Sequence, residues 1–170
     1  MGMVGTATSG IIFGGRSIPD LNDFYSYSVS GGTVTLTALT RAGASISGRR
    51  SMGMVGTATS GIIFGGRSIP DLNDFYSYSV SGGTVTLTAL TRAGASISTR
   101  SSMGMVGTAT SGIIFGGWSG TTRFNDFYSY SASGGTTPPP PISLRTLCLT
   151  QTAYDALAVK DPGTIYLITA

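Results

Sequence analysis

Side chains that commonly carry out catalysis are scarce in this chain. Its 170 residues include no histidine, which removes the usual general base and the commonest metal ligand. The single cysteine, Cys148, has no histidine to activate it and no partner for an intrachain disulfide. All seven acids are aspartates, and only repeat symmetry could bring two of them together for glycoside hydrolysis. We therefore predict a protein that is not an enzyme, with no catalytic residue and no cofactor.

The aspartates raise the question of a calcium site. Five of them precede tyrosine-rich segments, at Asp20, Asp23, Asp71, Asp74 and Asp126. A ring of such carboxylates could bind Ca²⁺. An aspartate in such a loop more often accepts hydrogen bonds from its own backbone, and we favour that interpretation. The prediction is therefore that no metal is bound.

An internal repeat dominates the sequence and decides the architecture. Residues 1–47 recur unchanged as residues 52–98, which is a period of 51. A third copy begins at Met103, diverges over residues 118–124 and returns at residues 125–130. We predict the following organisation: three repeats at residues 1–51, 52–102 and 103–137, a polyproline linker at 138–141, and a C-terminal attachment module at 142–170.

Each copy has the pattern of four short antiparallel strands. In the first copy these are residues 1–6, 11–13, 23–29 and 33–39, separated by glycine-containing turns and by a loop at 16–22. This pattern predicts an all-β protein made of four-stranded blades. Three blades are too few to close a ring, so we expect oligomerisation to complete it, most simply as a homodimer. The alternative is a pseudo-threefold β-trefoil or β-prism within one chain.

Residues 1–135 resemble kelch repeats. The resemblance rests on Ile12-Phe13-Gly14-Gly15, on Asn22-Asp23-Phe24-Tyr25-Ser26-Tyr27, and on Arg49-Arg50-Ser51-Met52 before the second copy. It implies a β-propeller and a role in interaction with other proteins. The chain departs from the kelch pattern at residues 34–36, which occupy the strand where that family has a tryptophan.

The C-terminal module has a different pattern. Residues 142–149 and 164–169 are predicted strands and residues 151–159 a short helix, and 142–149 could instead complete the third blade. Leu149-Thr150, Tyr154-Asp155-Ala156-Leu157, Lys160-Asp161 and Thr164-Ile165-Tyr166 resemble an element of tailed-phage virion proteins. The resemblance implies a virion structural protein in a tail fibre or other appendage, contacting other virion proteins. The alternatives are a capsid decoration protein and a cellular kelch-type interaction scaffold.

The divergent part of the third copy is the candidate ligand site. It carries the only tryptophan, Trp118, in a predicted loop, with Arg123 and Asp126 nearby. A tryptophan ring can stack on a sugar, so we predict a possible contact with host-surface glycan. The alternative is that Trp118 covers the incomplete edge of the third blade. Dispersed arginines and a net charge of +3 predict no nucleic-acid partner, and no apolar run approaches the ~20 residues of a membrane span.

Overall fold

The computed structural model describes residues 1–132, together with the backbone of residues 145–150 and 164–169. The chain divides into two compact units, Met1–Pro138 and Pro139–Ala170. The predicted linker at residues 138–141 and the predicted helix at 151–159 lie outside the described residues. Within the described residues, no helix is long and apolar enough to cross a membrane.

The first unit is built from strands that repeat three times along the chain. Blade 1 contains β1 (Gly2–Gly5), β2 (Ser9–Gly15), β3 (Leu21–Ser30) and β4 (Thr33–Gly43). Blade 2 contains β5 (Gly53–Gly56), β6 (Ser60–Gly66), β7 (Leu72–Ser81) and β8 (Thr84–Leu90). Blade 3 contains β9 (Gly104–Gly107), β10 (Ser111–Ser119) and β11 (Thr122–Ser131).

Successive strands within each blade pair antiparallel, which confirms the predicted all-β fold of kelch-like blades. The third strands begin earlier than predicted, because Leu21 already pairs with Gly15 across a bulge. The end of β4 also extends to Gly43 and pairs in parallel with the start of β8. This pairing joins blades 1 and 2 into one eight-stranded sheet, whose first strand, β1, lies against β5.

The glycine pair that ends the second strand allows the linker after blade 1 to approach the strand closely. Gly14 has a φ of +60°, in the left-handed region that glycine adopts without strain. A Cβ atom on Gly14 would lie 2.6 Å from the carbonyl oxygen of Arg49. The amide of Gly15 donates a hydrogen bond to that same carbonyl at 3.1 Å. The linker after blade 1 therefore lies directly against the end of β2.

The hydrophobic core lies between blades. We call the side of a blade that meets the following blade its forward face, and the opposite side its backward face. On blade 1 the forward face is Ile11, Phe13 and Phe24, all at most 1% exposed. These residues pack with Val85 and Leu87 on the backward face of blade 2. A second cluster joins the forward face of blade 2 to the backward face of blade 3.

In the second unit, the described backbone forms a two-stranded parallel sheet. Its strands are β12 (Arg145–Thr150) and β13 (Thr164–Thr169), with Arg145 opposite Thr164. The bounds of β13 coincide with the predicted strand at residues 164–169. The described part of the predicted strand at 142–149 falls within β12.

Candidate functional site

The predicted ligand residues Trp118 and Arg123 are brought together, but not in a loop. Trp118 lies in β10 and is directly opposite Arg123 on β11, which corrects the predicted loop position. Its backbone amide and carbonyl are also hydrogen-bonded to Ser101. The added residue of the third copy lengthens this hairpin instead of opening a loop. Trp118 is 38% exposed, and the guanidinium of Arg67 lies 5.8 Å from the centre of its ring.

Asp126, the third predicted ligand residue, is engaged elsewhere. It accepts hydrogen bonds from both terminal nitrogens of Arg100, at 2.6 and 3.0 Å. Residues along β11 alternate between exposed and half-buried, which places Asp126 on the opposite face from Arg123. The three predicted residues therefore do not form one site.

Arg100 is held between blades 2 and 3 with its side chain fully buried. Besides Asp126, it donates to the carbonyl oxygen of Gly116 at 2.9 Å. Its guanidinium carbon lies 4.2 Å from the ring centre of Phe124 and 5.3 Å from that of Tyr128. A planar cation paired with a carboxylate and stacked on aromatic rings suits arginine specifically.

The same arrangement, a buried arginine that binds an aspartate of the next blade, occurs one repeat earlier, between blades 1 and 2. We call it the joint between two blades. The fully buried side chain of Arg49 donates to both carboxylate oxygens of Asp74, at 2.6 and 2.9 Å. It also donates to the carbonyl oxygen of Gly65 at 3.1 Å and to Ser47. Arg50 forms a further ion pair with Asp20. The preference for backbone capping was therefore wrong for Asp20 and Asp74, whose carboxylates bind arginines. Asp126 binds Arg100 and also interacts with its own backbone. Within the described residues no cluster of metal-binding side chains is present.

The linker that carries each arginine is fastened to the blade on either side. On the blade 1 side, the Asn22 side-chain amide donates to the carbonyl oxygen of Ile46 at 3.4 Å, and the Arg49 amide donates to that of Leu21. On the blade 2 side, the Tyr76 hydroxyl donates to the carbonyl oxygen of Ser45 at 3.1 Å. The linker is thus a structural part of the joint between blades.

Sequence reasoning missed these arginines, although a signal was present. Ile46-Ser47-Gly48-Arg49 and Ile97-Ser98-Thr99-Arg100 share the pattern Ile-Ser-x-Arg at the repeat period. Each isoleucine is nearly inaccessible, with 1% exposure for Ile46 and 3% for Ile97. A buried apolar anchor followed by an arginine, recurring at the same period as the Asn-Asp pair, was a signal from which an inter-blade ion pair could have been predicted.

The ion pair at Asp126 makes stability depend on pH. Hydrogen bonds from Arg100 hold the pKa of the Asp126 carboxyl below its ordinary value, while burial acts in the opposite direction. The ionised carboxyl therefore favours the folded state above the unfolded pKa of about 4, and this contribution is lost as the pH falls through the folded pKa. We expect the free energy of unfolding to decrease as the pH is lowered from about 5 to 2. Denaturant titrations should show a weaker decrease for Asp126→Asn, and an unchanged pH profile would contradict this assignment.

The two end faces of the blade stack expose residues that are buried elsewhere. On the forward face of blade 3, Ile113, Phe115 and Phe127 are 43%, 45% and 67% exposed. Their counterparts on blade 1 are the buried forward-face residues described above. On the backward face of blade 1, Val34 and Leu36 are 61% and 60% exposed. Their counterparts on blade 2, Val85 and Leu87, are 0% and 2% exposed.

A cavity of about 230 Å³ lies beside the first strands of the three blades. It is lined by the six methionines and by Gly2 and Gly53. Flexible thioether side chains fill irregular space between packed elements. Since no charged or hydroxyl side chain lines this cavity in the described structure, we assign it to packing.

Comparison with known families agrees with the blade architecture. A family model described as the KLHDC2/KLHL20/DRC7 Kelch-repeats domain matches residues 2–168, nearly the whole chain. No curated protein matches the sequence. The family match includes nearly all of the three copies, the whole of β12 and all but the last residue of β13.

Proposed function

This chain belongs to the kelch-repeat family, and we propose that it is a non-catalytic interaction protein that assembles with further copies of itself through its two end faces. Kelch repeats form a protein-interaction fold, which supports a binding role over a catalytic one. The observation that carries the proposal is the contrast in exposure between equivalent residues. Phe127 is 67% exposed at the end of the stack, whereas its counterpart Phe24 is 1% exposed inside it.

The two end faces are complementary because the repeats are nearly identical. The forward face of blade 3 has the same apolar residues as the forward face of blade 1, and blade 1 has the same backward face as blade 2. A forward face packed on a backward face is the contact already present between blades 1 and 2. Two chains joined head to tail at both ends would form a ring of six blades and leave neither face exposed.

Charged substitutions on either face should prevent this assembly. We expect Phe127→Asp and Leu36→Asp each to shift the full chain from dimer to monomer, because each places a carboxylate in an apolar contact. Light scattering after size-exclusion chromatography measures the mass, and circular dichroism checks that the β fold is retained. The matched control is Ile69→Asp, at a loop position that is 99% exposed. A dimer that persists in both face variants would contradict the proposed contact.

The biological setting that we propose is a phage virion, in a tail fibre or other appendage. This proposal is supported by the resemblance of residues 149–169 to an element of tailed-phage virion proteins. The second unit would attach the blades to other virion proteins. A cellular interaction scaffold is the competing setting, since kelch repeats form a protein-interaction fold. Imaging of purified phage particles with an antibody against this chain tests the setting, because an unlabelled particle would favour the scaffold.

We retain Trp118 and Arg123 as a proposed contact for host-surface carbohydrate, whereas Asp126 is committed to Arg100. The partly exposed ring beside two arginines offers an aromatic face and hydrogen-bond donors. Because Trp118 is the only tryptophan, its fluorescence reports on this position alone. We expect host-cell polysaccharide to change that fluorescence in a saturable way, and Arg123→Ala to weaken the response about tenfold. A response unaffected by Arg123→Ala, or none at all, would leave Trp118 with its packing role.

A further inference from the structure

Blade 1 carries an empty copy of a site that is filled on the other two blades. On blades 2 and 3, Asp74 and Asp126 each bind a buried arginine through two hydrogen bonds. The tyrosines two residues later each donate a hydrogen bond to the linker that carries that arginine. On blade 1 the corresponding residues are Asp23 and Tyr25. Among the described residues, no arginine pairs with Asp23, and Tyr25 is 37% exposed.

The two filled sites define the chemistry of the missing occupant. Each is filled by a segment with the pattern Ile-Ser-x-Arg, whose isoleucine lies in the core between blades and whose arginine is fully buried. Gly48 and Thr99 occupy the variable position. The site therefore requires an apolar anchor and, three residues later, a guanidinium.

The chain contains this pattern a third time. Residues 142–145 read Ile-Ser-Leu-Arg, and they follow the third copy as the other two segments follow the first and second. Within these 170 residues, the aspartate of blade 1 is the repeat position left to receive Arg145. One chain thus contains three Ile-Ser-x-Arg segments, and one aspartate site that no described arginine fills.

We propose that residues 142–145 of one chain bind the backward face of blade 1 in a second copy, where Arg145 pairs with Asp23 of that copy. This inference rests on the proposed assembly through end faces. It adds the polar contact that would align one end face with the other. The charges are complementary, and the acceptors at the site repeat those that hold Arg49 and Arg100. In a head-to-tail dimer the contact would occur twice.

Charge-reversal variants of Asp23 and Arg145 test this ion pair independently of the apolar contact between the end faces. We expect Asp23→Arg and Arg145→Asp each to raise the dimer dissociation constant about a hundredfold, because each brings like charges together at the joint. In an equimolar mixture of the two variants, both joints again combine opposite charges. The mixture should therefore recover dimers, each containing one chain of either kind. Arg16→Asp, at an exposed loop arginine of blade 1, is the control for the change in net charge that Arg145→Asp makes.

Sedimentation velocity over a dilution series distinguishes the outcomes. Weak single variants and a restored mixture support the Asp23–Arg145 contact. Two results would contradict the Asp23–Arg145 contact while the unsubstituted chain still dimerises through its faces. In the first, the single variants behave like Arg16→Asp; in the second, the mixture of the two variants stays dissociated. If an arginine of another protein fills the Asp23 site instead, the purified variants should likewise behave like Arg16→Asp. A monomeric unsubstituted chain would overturn both this contact and the proposed assembly.

Discussion

Replacing Phe64 by alanine is expected to lower the free energy of unfolding by about 4 kcal/mol. Phe64 is fully buried between blades 2 and 3, and its ring centre lies 4.3 Å from that of Phe75. The substitution removes the aromatic contact and leaves a cavity that neighbouring strands can fill only in part. Urea denaturation followed by circular dichroism measures the change.

The repeat provides a matched control for this substitution. Phe115 is the same residue in blade 3, but it is 45% exposed at the end of the stack. In solution dilute enough to dissociate the proposed dimer, we expect Phe115→Ala to cost about 1 kcal/mol, since the side chain is only half removed from water. Equal losses of unfolding free energy would contradict the assignment of Phe64 to the contact between blades 2 and 3 and of Phe115 to an exposed end face.

Asp74→Ala is expected to lower the free energy of unfolding by about 3 kcal/mol. The substitution leaves the fully buried guanidinium of Arg49 without its anion, and a buried charge that loses its partner is strongly destabilising. The Asp74 side chain is 35% exposed, so water offsets part of this cost. Thermal and urea denaturation both report the loss.

Asp71→Ala is the control for removing an acid from the same blade. Asp71 is the counterpart of Asp20 but forms no ion pair within the described residues, and its hydrogen bond with the amide of Gly120 is long, at 3.4 Å. We expect its removal to change stability by about 0.5 kcal/mol or less. If both substitutions had this small effect, the arginine joint would contribute little to holding the blades together.

The blades were predictable because their signals are local and repeated. Alternation in residues 33–39 and the glycines of the turns indicate strand and hairpin without knowledge of distant contacts. The period of 51 residues then fixes the number of blades. The extension of β4 to Gly43 was not predictable in this way, because it depends on parallel pairing with β8 of the next blade.

The joints were not predicted because their partners lie far apart in sequence. Arg49 and Asp74 are 25 residues apart, and neither has a local pattern that requires the other. Trp118 was assigned to a loop because residues 118–124 replace the predicted loop of the first copy, at residues 16–22. In the structure, Gly120 instead adopts a φ of +57° in a tight turn between β10 and β11, which keeps Trp118 within the strand.

In the assembly that we propose, the three blades of one chain are half of a closed structure. The mass of the unsubstituted chain in solution, from sedimentation equilibrium, tests it most directly. One chain has a mass of 17.3 kDa, so we predict a species of about 35 kDa that dissociates only on dilution. A compact, stable monomer that remains folded at every concentration, with its end faces exposed to water, would contradict it.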